Sequence, residues 1–399
     1  MAEKERNDTN TGKSEGKPGH GKRILLRTFG CQMNVRDSEV ICGLLKKAGY
    51  QICDSDKEAD VIIFNTCSVR QHAEDRVWSL IGSYKGSKII GLVGCMAQNY
   101  KERAFQRDAA LSFVVGPQDI YKIPEILSKL QKGPVVRKAA PLLFERKIWE
   151  VDSTVRPEEI YHTGFFREKD HAYVVISEGC SNFCSYCVVP YVRGPLRHRK
   201  SKDILKEIGQ AITSGINKIT LLGQNVNAYQ DGEMNFIRLL ERVNALEGLS
   251  RIDFFTSHPK DANIEFFKAI RDLDKLSKSL HLPLQSGSDR VLKLMNRGYA
   301  LKEYLALIDS YRKIVKDGYL TTDIIVGFPT ETAEEFEETC DLLARVKFNA
   351  AYIFKYSLRP NTEAEKLADM LSKEEKEKRH KKILDLQRRI SNKLKHKNA

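Results

Sequence analysis

The residues best equipped for chemistry are Cys180, Cys184 and Cys187. They sit in the run EGCSNFCSYC at Cys-x3-Cys-x2-Cys spacing, with Tyr186 before the last sulfur. Three thiolates this close in sequence can hold three irons of a cubane and leave the fourth iron with no protein ligand. An iron with an open position can bind and activate a small molecule, whereas a fully ligated cluster can only pass electrons. Structural zinc would want four ligands, usually two separated Cys pairs or pairs completed by His. The nearest histidines, His171 and His198, sit at no finger spacing. A disulfide would leave one thiol unpaired and has no secretory context. The pattern favours a reactive iron–sulfur cluster over zinc or plain core cysteines.

Three further cysteines share a placement. From about Arg23 to Trp149 the chain predicts strands at Ile24–Leu26, Val61–Phe64 and Ile89–Val93. Helical patterns at Ser38–Lys47, Val69–Tyr84 and Ile120–Leu130 lie among them. Such alternation predicts an open parallel sheet with helices on its faces. Each strand runs into a cysteine, namely Cys31 in TFGC, Cys67 in NTC and Cys95 in GC. The carboxyl ends of parallel strands line one edge, where ligands bind, so these three should converge there. Gly30 and Gly94 would let the backbone approach a bulky group. Taken singly, each is better read as core. The repeated placement favours a second three-thiolate site. Cys42, Cys53 and Cys340 carry no partner motif and read as core or incidental.

The elements that must position the first cysteine set come next. Periodicity fades from about Val135, and residues 150–167, with Pro157, read as a linker. From 168 to 371 six strands are predicted: Tyr173–Ser177, Lys218–Leu222, Ile252–Thr256, Leu280–Leu284, Thr321–Val326 and Ala351–Tyr356. Helical patterns alternate with them at Lys202–Ser214, Phe236–Leu246, Ala262–Leu273, Leu301–Lys316 and Ala333–Val346. Six β/α units predict a partial TIM-like barrel, open at one side, since closure of the standard barrel takes eight. Polar residues follow the strands, at the end where barrel enzymes build their sites. Gln224, Asn225, His258, Gln285 and Asp323 are accordingly the candidates for holding a cofactor. His258 is equally well read as a structural histidine, and Asp323, inside an apolar strand, as a carboxylate bonded within the core. Arg193, Arg197 and Arg199, just beyond the cluster loop, are candidates for gripping substrate phosphates or a carboxylate. The alternative is a solvated charged loop.

Composition sets bounds. The chain has 399 residues, 41% of them apolar, which suits two or three globular domains. Residues 1–22 are polar and Gly-rich, with no apolar signal region, and read as a disordered lead-in. No stretch is long enough to span a membrane. Nine cysteines without an export signal point to a reducing, cytoplasmic setting. Net charge is +13, and residues 372–399 carry 11 Lys/Arg against 4 Asp/Glu, a net +7. That basic segment fits a nucleic-acid partner, and equally a solvated charged helix.

The cluster loop at the end of a first barrel strand resembles the signature of the radical S-adenosylmethionine (SAM) superfamily. Together with TFGCQMN, NTCSVR and GCMAQ, the chain resembles the methylthiotransferase family from about Arg23 to Asn392. Its wording is similar to the branch that acts on N6-isopentenyladenosine at position 37 of tRNA. Sister branches act on threonylcarbamoyladenosine in tRNA or on a ribosomal protein aspartate. The resemblance implies that Cys180, Cys184 and Cys187 hold a 4Fe–4S cluster whose open iron chelates SAM. It implies that Cys31, Cys67 and Cys95 hold an auxiliary 4Fe–4S cluster. In the implied reaction, reductive cleavage of SAM yields a radical that removes hydrogen from C2 of the adenine. Methylated sulfur on the auxiliary cluster is then transferred to that carbon. An unactivated aromatic C–H is too weak an acid for a His or Glu base, so radical chemistry suits the task. The resemblance also implies a low-potential electron donor such as flavodoxin or ferredoxin, the anticodon loop of tRNA as partner, and a monomer.

Three departures stand out. A small RNA-binding TRAM barrel usually follows in the family, and here the chain ends at Ala399, after the basic helix predicted over Lys373–Lys395. Leu196 and His198 occupy the stretch where the family shows a Glu and then a Ser. SLRPNT replaces an SPRPGT-like motif. A non-catalytic metal-binding RNA protein is the alternative from another class.

Overall fold

The computed structural model describes residues 21–68, 71–84, 88–131, 147–151 and 155–398. The lead-in, up to residue 20, and residues 132–146, where the periodicity fades, lie outside the described residues. The first block forms one six-stranded sheet, parallel throughout. Its strands are β1 (Arg23–Phe29), β2 (Gln51–Ile52), β3 (Val61–Thr66), β4 (Ile89–Gly94), β5 (Phe113–Val115) and β6 (Ile148–Glu150), in spatial order β2-β1-β3-β4-β5-β6. β3 and β4 are buried along their whole length, as expected of strands covered on both faces. The helices are α1 (Gln32–Lys47), α2 (Gln71–Ser83), α3 (Cys95–Tyr100), α4 (Arg103–Arg107) and α5 (Ile123–Gln131). The sequence pattern misses β2, β5 and β6 because two or three residues cannot display a period.

The chain order reverses direction between β1 and β3, the topological switch point of such sheets, where ligands bind. Register sharpens the point. Phe29 pairs with Thr66, and Thr66 with Gly94. Cys67 and Cys95 directly follow these aligned residues, and Cys31 follows one position later. The sheet thus delivers all three cysteines to one stretch of one edge.

The second block forms six parallel strands in two ladders. We label them β7 (His171–Val175), β8 (Lys218–Leu222), β9 (Arg251–Phe255), β10 (Ser279–His281), β11 (Tyr319–Val326) and β12 (Ala350–Lys355). β7, β8 and β9 make one ladder, and β10, β11 and β12 the other. Backbone bonds from Ile252 to Lys275 and Ser277, both 2.8 Å, join the two. Among the described residues no ladder joins β12 back to β7, so the barrel is open there. β10 is shorter than its apolar run because Pro283 has no N–H to donate, and Leu284 N–H turns to the Thr322 hydroxyl at 2.8 Å.

Around this sheet lie α6 (Val189–Arg193), α7 (Ser201–Thr213), α8 (Phe236–Asn244), α9 (Ile264–Asp272), α10 (Asp289–Leu294), α11 (Leu301–Ile314), α12 (Ala333–Val346) and α13 (Lys373–Asn398). α13 is the basic C-terminal helix, and it is not free. Ile383 and Ile390 are buried in the barrel core, Gln387 donates to the Phe348 carbonyl at 2.9 Å, and Arg379 pairs with Glu331 at 2.7 Å. One face seals the barrel while the other stays cationic. Among the described residues no helix is long and apolar enough to cross a membrane.

The two blocks share a core. Val175 and Leu222, from β7 and β8, pack with Ile24, Val61 and other first-block residues, together with Ile160 and Tyr161. The stretch read as a linker therefore carries buried side chains of its own. Apolar burial of this kind is worth roughly 1.5–3 kcal/mol for each large side chain.

Candidate cluster sites and active-site ring

At the sheet edge the Cys31 thiol donates to Asn34 Oδ1 at 3.5 Å and contacts Cys67. Asn34 Nδ2 in turn reaches Asn65 Oδ1 at 3.1 Å and the Thr66 carbonyl at 3.3 Å. This buried amide pair lashes the Cys31 loop to the Cys67 loop. Gly30 lets them close up: its φ is +141°, and a Cβ there would lie 2.5 Å from Cys67 Cβ. The Cys67 thiol, followed by Arg193, holds Cys31, which is exposed at the sheet edge, down to about 6. Cys95 is pushed up, chiefly by burial, and lies close enough to Cys31 and Arg193 to feel both charges. The structure brings the three sulfurs together.

In the barrel loop, Cys180, Cys184 and Cys187 crowd one another in the same way. Burial and then Cys184 push Cys187 up to about 12, and burial also raises Cys180. The loop is held by Cys180 N–H to the Gly194 carbonyl at 3.1 Å and Cys187 N–H to the Cys184 carbonyl at 2.9 Å. Gly179 has φ +73°, and a Cβ there would stand 2.1 Å from the Pro195 carbonyl oxygen. A side chain would push the strand-to-loop crossing apart.

Among the described residues no three or more His, Cys, Asp or Glu side chains converge tightly enough to hold a single metal ion. A cubane is several ångströms across and each thiolate binds a different iron, so its ligands need not share one coordination sphere. Three thiols gathered in one place repel one another once ionised, so a cationic partner is needed before all three can be thiolates, and iron supplies it. Both sets fit a 4Fe–4S cluster by donor chemistry. The two sites adjoin: Cys95 packs against Val188 and Val192, which follow Cys187 by one and five positions.

The cations beyond the cluster loop are used differently from the sequence expectation. Arg193 is 2% exposed; its Nη2 pairs with Asp37 Oδ2 at 2.8 Å and its Nε donates to Cys95 Sγ at 3.2 Å. Arg199 is 4% exposed, pairs with Glu207 and stacks over the Tyr161 ring at 4.0 Å. Arg197 is partly exposed and reaches Glu178 at 3.5 Å and the Arg193 carbonyl at 3.1 Å. The assignment of Arg193 and Arg199 to substrate is corrected: both are enclosed, Arg193 against Asp37 and Cys95 and Arg199 against Glu207. They belong to a larger network. Asp37 lies between Arg156 and Arg193, Arg156 reaches Glu178 at 3.1 Å, and Arg36 joins Glu39 to Glu207. Arg36, Asp37 and Glu39 come from α1, whereas Glu178, Arg193 and Glu207 come from the barrel. The network bolts one block to the other.

The ring at the strand ends holds unspent polar atoms. Ser177 Oγ, Gln224 Oε1, Asn225 Oδ1, Ser257 Oγ and His258 Nε2 are buried without a partner. Buried polar atoms are normally satisfied, and a ligand bound at the strand ends would satisfy these. Asn225 is held by Asp261, which accepts from its Nδ2 at 2.7 Å. His258 Nδ1 accepts from Lys260 N–H at 3.3 Å, so Nε2 carries the proton. Burial, then Arg297 and Lys260, push His258 down to about 2, so the ring is neutral at any working pH. Gln285 is buried with φ +77°, bonded through its backbone to Asp323 and Ile325. Asp323 lies deeper in the barrel, partly exposed and 3.4 Å from His281 Nε2. It is not among the orphaned atoms.

Sequence reasoning missed Arg297, which donates through Nη1 to Cys184 Sγ at 3.3 Å and to Tyr186 Oη at 3.4 Å. No motif flags it, since it follows α10, more than a hundred residues past the cysteines.

Comparison with known proteins agrees with the geometry. Residues 174–343 match the family model described as the radical SAM superfamily. Residues 23–116 match the one described as uncharacterized protein family UPF0004. The chain is 42% identical over 389 residues to a tRNA-2-methylthio-N(6)-dimethylallyladenosine synthase of Thermoanaerobacter pseudethanolicus, covering 93% of this chain and 79% of that protein. It is 43% identical to the synthase of the same name from Caldicellulosiruptor saccharolyticus, covering 94% and 80%. Among solved structures, the radical S-adenosylmethionine methyltransferase TsrM from Kitasatospora setae shares the fold, with TM-score 0.57 and 13% identity over 86% of this chain and 74% of that one. By its cysteine sites, its two matched domains and this identity along nearly its full length, the chain belongs to the radical SAM methylthiotransferase family.

Proposed function

We propose that this protein methylthiolates C2 of N6-isopentenyladenosine at position 37 of tRNA, using SAM and two 4Fe–4S clusters. The observation that carries the reading is the adjacency of two three-cysteine sites in a chain 42% identical to synthases named for that product. When bound, the clusters and SAM supply the one-electron chemistry and the sulfur that no side chain here could provide. The protein's own part is to bind, orient and exclude water.

Cys180, Cys184 and Cys187 would hold the cluster that receives SAM, and Cys31, Cys67 and Cys95 the auxiliary one. His258 Nε2–H offers a fixed donor to SAM, and Asn225 Oδ1 and Gln224 Oε1 offer acceptors, all buried and unspent. Because His258 is neutral, it donates without bringing a charge that would repel the SAM sulfonium. Substrate reaches the site from the open end of the loop. There Phe183 and Tyr191, 50% and 41% exposed with rings 6.4 Å apart, present aromatic faces on which unpaired bases of an anticodon loop can stack.

The test is direct. Reconstituted protein, SAM, a low-potential reductant and tRNA bearing N6-isopentenyladenosine should yield the 2-methylthio nucleoside by mass spectrometry of digested tRNA. No product from protein holding both clusters would refute the reading. Product only from tRNA bearing threonylcarbamoyladenosine would reassign the substrate to a sister branch.

A further inference from the structure

The two cysteine sites share a feature that cluster ligation does not explain. Each has one buried guanidinium hydrogen-bonded to a cysteine sulfur. At the sheet edge it is Arg193, with Nε 3.2 Å from Cys95 Sγ. In the barrel it is Arg297, with Nη1 3.3 Å from Cys184 Sγ. Both are almost fully enclosed, at 2% and 4% exposed.

A buried cation needs a counter-charge, and leaving it unpaired is costly. Arg297 has none. Its partners are the Tyr186 and Tyr299 hydroxyls, the Pro283 carbonyl and Cys184, and among the described residues no carboxylate pairs with it. Arg193 has half of Asp37, which Arg156 shares, and its Nη1 is buried with no partner at all. In each case the missing anion stands on the cysteine side. A thiolate-ligated cubane is anionic and gains a further negative charge on reduction. Charge and hydrogen bonds at the sulfurs are among the levers that set its potential.

We propose that Arg193 and Arg297 are positioning residues, each holding one cluster's thiolate and raising that cluster's reduction potential by stabilising its reduced form. Arg193 also makes the auxiliary site a product of both blocks. It is anchored on α6 beyond the barrel loop, and its carbonyl accepts from Gln118 of the first block at 3.2 Å. The inference rests on the two-cluster reading above.

The experiment is an EPR-monitored redox titration of reconstituted protein, with each cluster isolated by replacing the other's three cysteines with Ala. Arg297→Gln should shift the barrel cluster's midpoint to more negative potential and leave the auxiliary cluster unmoved. Arg193→Gln should do the reverse. The expected size is a tenfold fall in the reduced-to-oxidised ratio at fixed poise, about 59 mV for a one-electron couple. Arg→Lys at either position should recover most of the shift. Unchanged midpoints in Gln variants that load fully with iron would overturn the proposal, as would Lys variants shifted as far as Gln. Where a Gln variant takes up no iron, the Lys variant decides: a wild-type midpoint supports the role and a shifted one overturns it. Iron and sulfide sufficient for only one cluster in wild-type protein would sink the two-cluster reading, with Arg297 still tested by the same titration.

Discussion

The sheet-edge site and the barrel-loop site assemble the same donor set by opposite routes. The barrel loop carries its three cysteines within one short run, so spacing alone keeps them neighbours, while Leu294, Met295, Asn296 and Arg297 brace the loop from the end of α10. The sheet-edge site draws Cys31, Cys67 and Cys95 from three strands and exists only when β1, β3 and β4 lie in register. The local site can tolerate global loosening that the distributed site cannot. The ion-pair network centred on Asp37 ties the first block to the barrel beside that distributed site.

The largest effect that would test this contrast is on chemistry. Cys184→Ala should abolish SAM cleavage and remove about half of the bound iron while leaving the sheet-edge site loaded. Measurable cleavage at the wild-type rate would defeat the division of labour. Cys67→Ala should also lose about half of the iron, yet retain some SAM cleavage and form no methylthiolated product.

Asp37→Ala comes next. It strips the carboxylate from between two buried guanidiniums, and breaking a buried pair this way costs about 3–5 kcal/mol. Denaturant unfolding should register that loss, and iron should leave the sheet-edge site before the barrel loop. Burial pulls the Asp37 carboxyl up, but Arg156 and Arg193 outweigh it and hold it below the ordinary carboxylate range. Its contribution is therefore complete above about pH 4, the unfolded value, and fades as pH falls through the lower folded value. The gap between wild type and Asp37→Ala should narrow only in acid. A gap that instead narrowed on raising the pH would contradict the assignment.

The smallest expected effect is that of Gly30→Ala, which places a methyl against Cys67 Cβ at a backbone angle that side chains rarely adopt. A cost of about 1–3 kcal/mol is expected, with weakened iron uptake at the sheet edge and unchanged uptake at the barrel loop. Equal loss at both sites would mean that the two are not independent.

Much of this architecture is legible in the sequence. The six barrel strands and the helices between them follow from apolar period, because these elements bury one stripe or face against a neighbour. The strand-end cysteines follow from a rule of parallel sheets. What escapes is polar. Arg36, Asp37 and Glu39 belong to no motif, yet all three are buried on α1, where Arg36 and Asp37 pair with barrel residues. Arg193 and Arg199 look like cations awaiting a substrate, yet Arg193 turns to Asp37 of α1 and to Cys95, and Arg199 to Glu207 of the helix that follows it. Ser177, Ser257 and the orphaned amides gain meaning only when their missing partners can be counted.

The sequence alone determined the two cysteine triplets, the alternation that builds a sheet and an open barrel, and hence the cluster chemistry the chain can support. Spacing and period act over a few residues, and such short-range information survives in one dimension. Only the tertiary structure decided which guanidinium meets which sulfur, how α1 locks onto the barrel, and that the two sites share a wall through Cys95, Val188 and Val192. Those choices depend on burial and charge pairing between segments far apart in the chain, where the cost of an unpaired ion leaves few arrangements open.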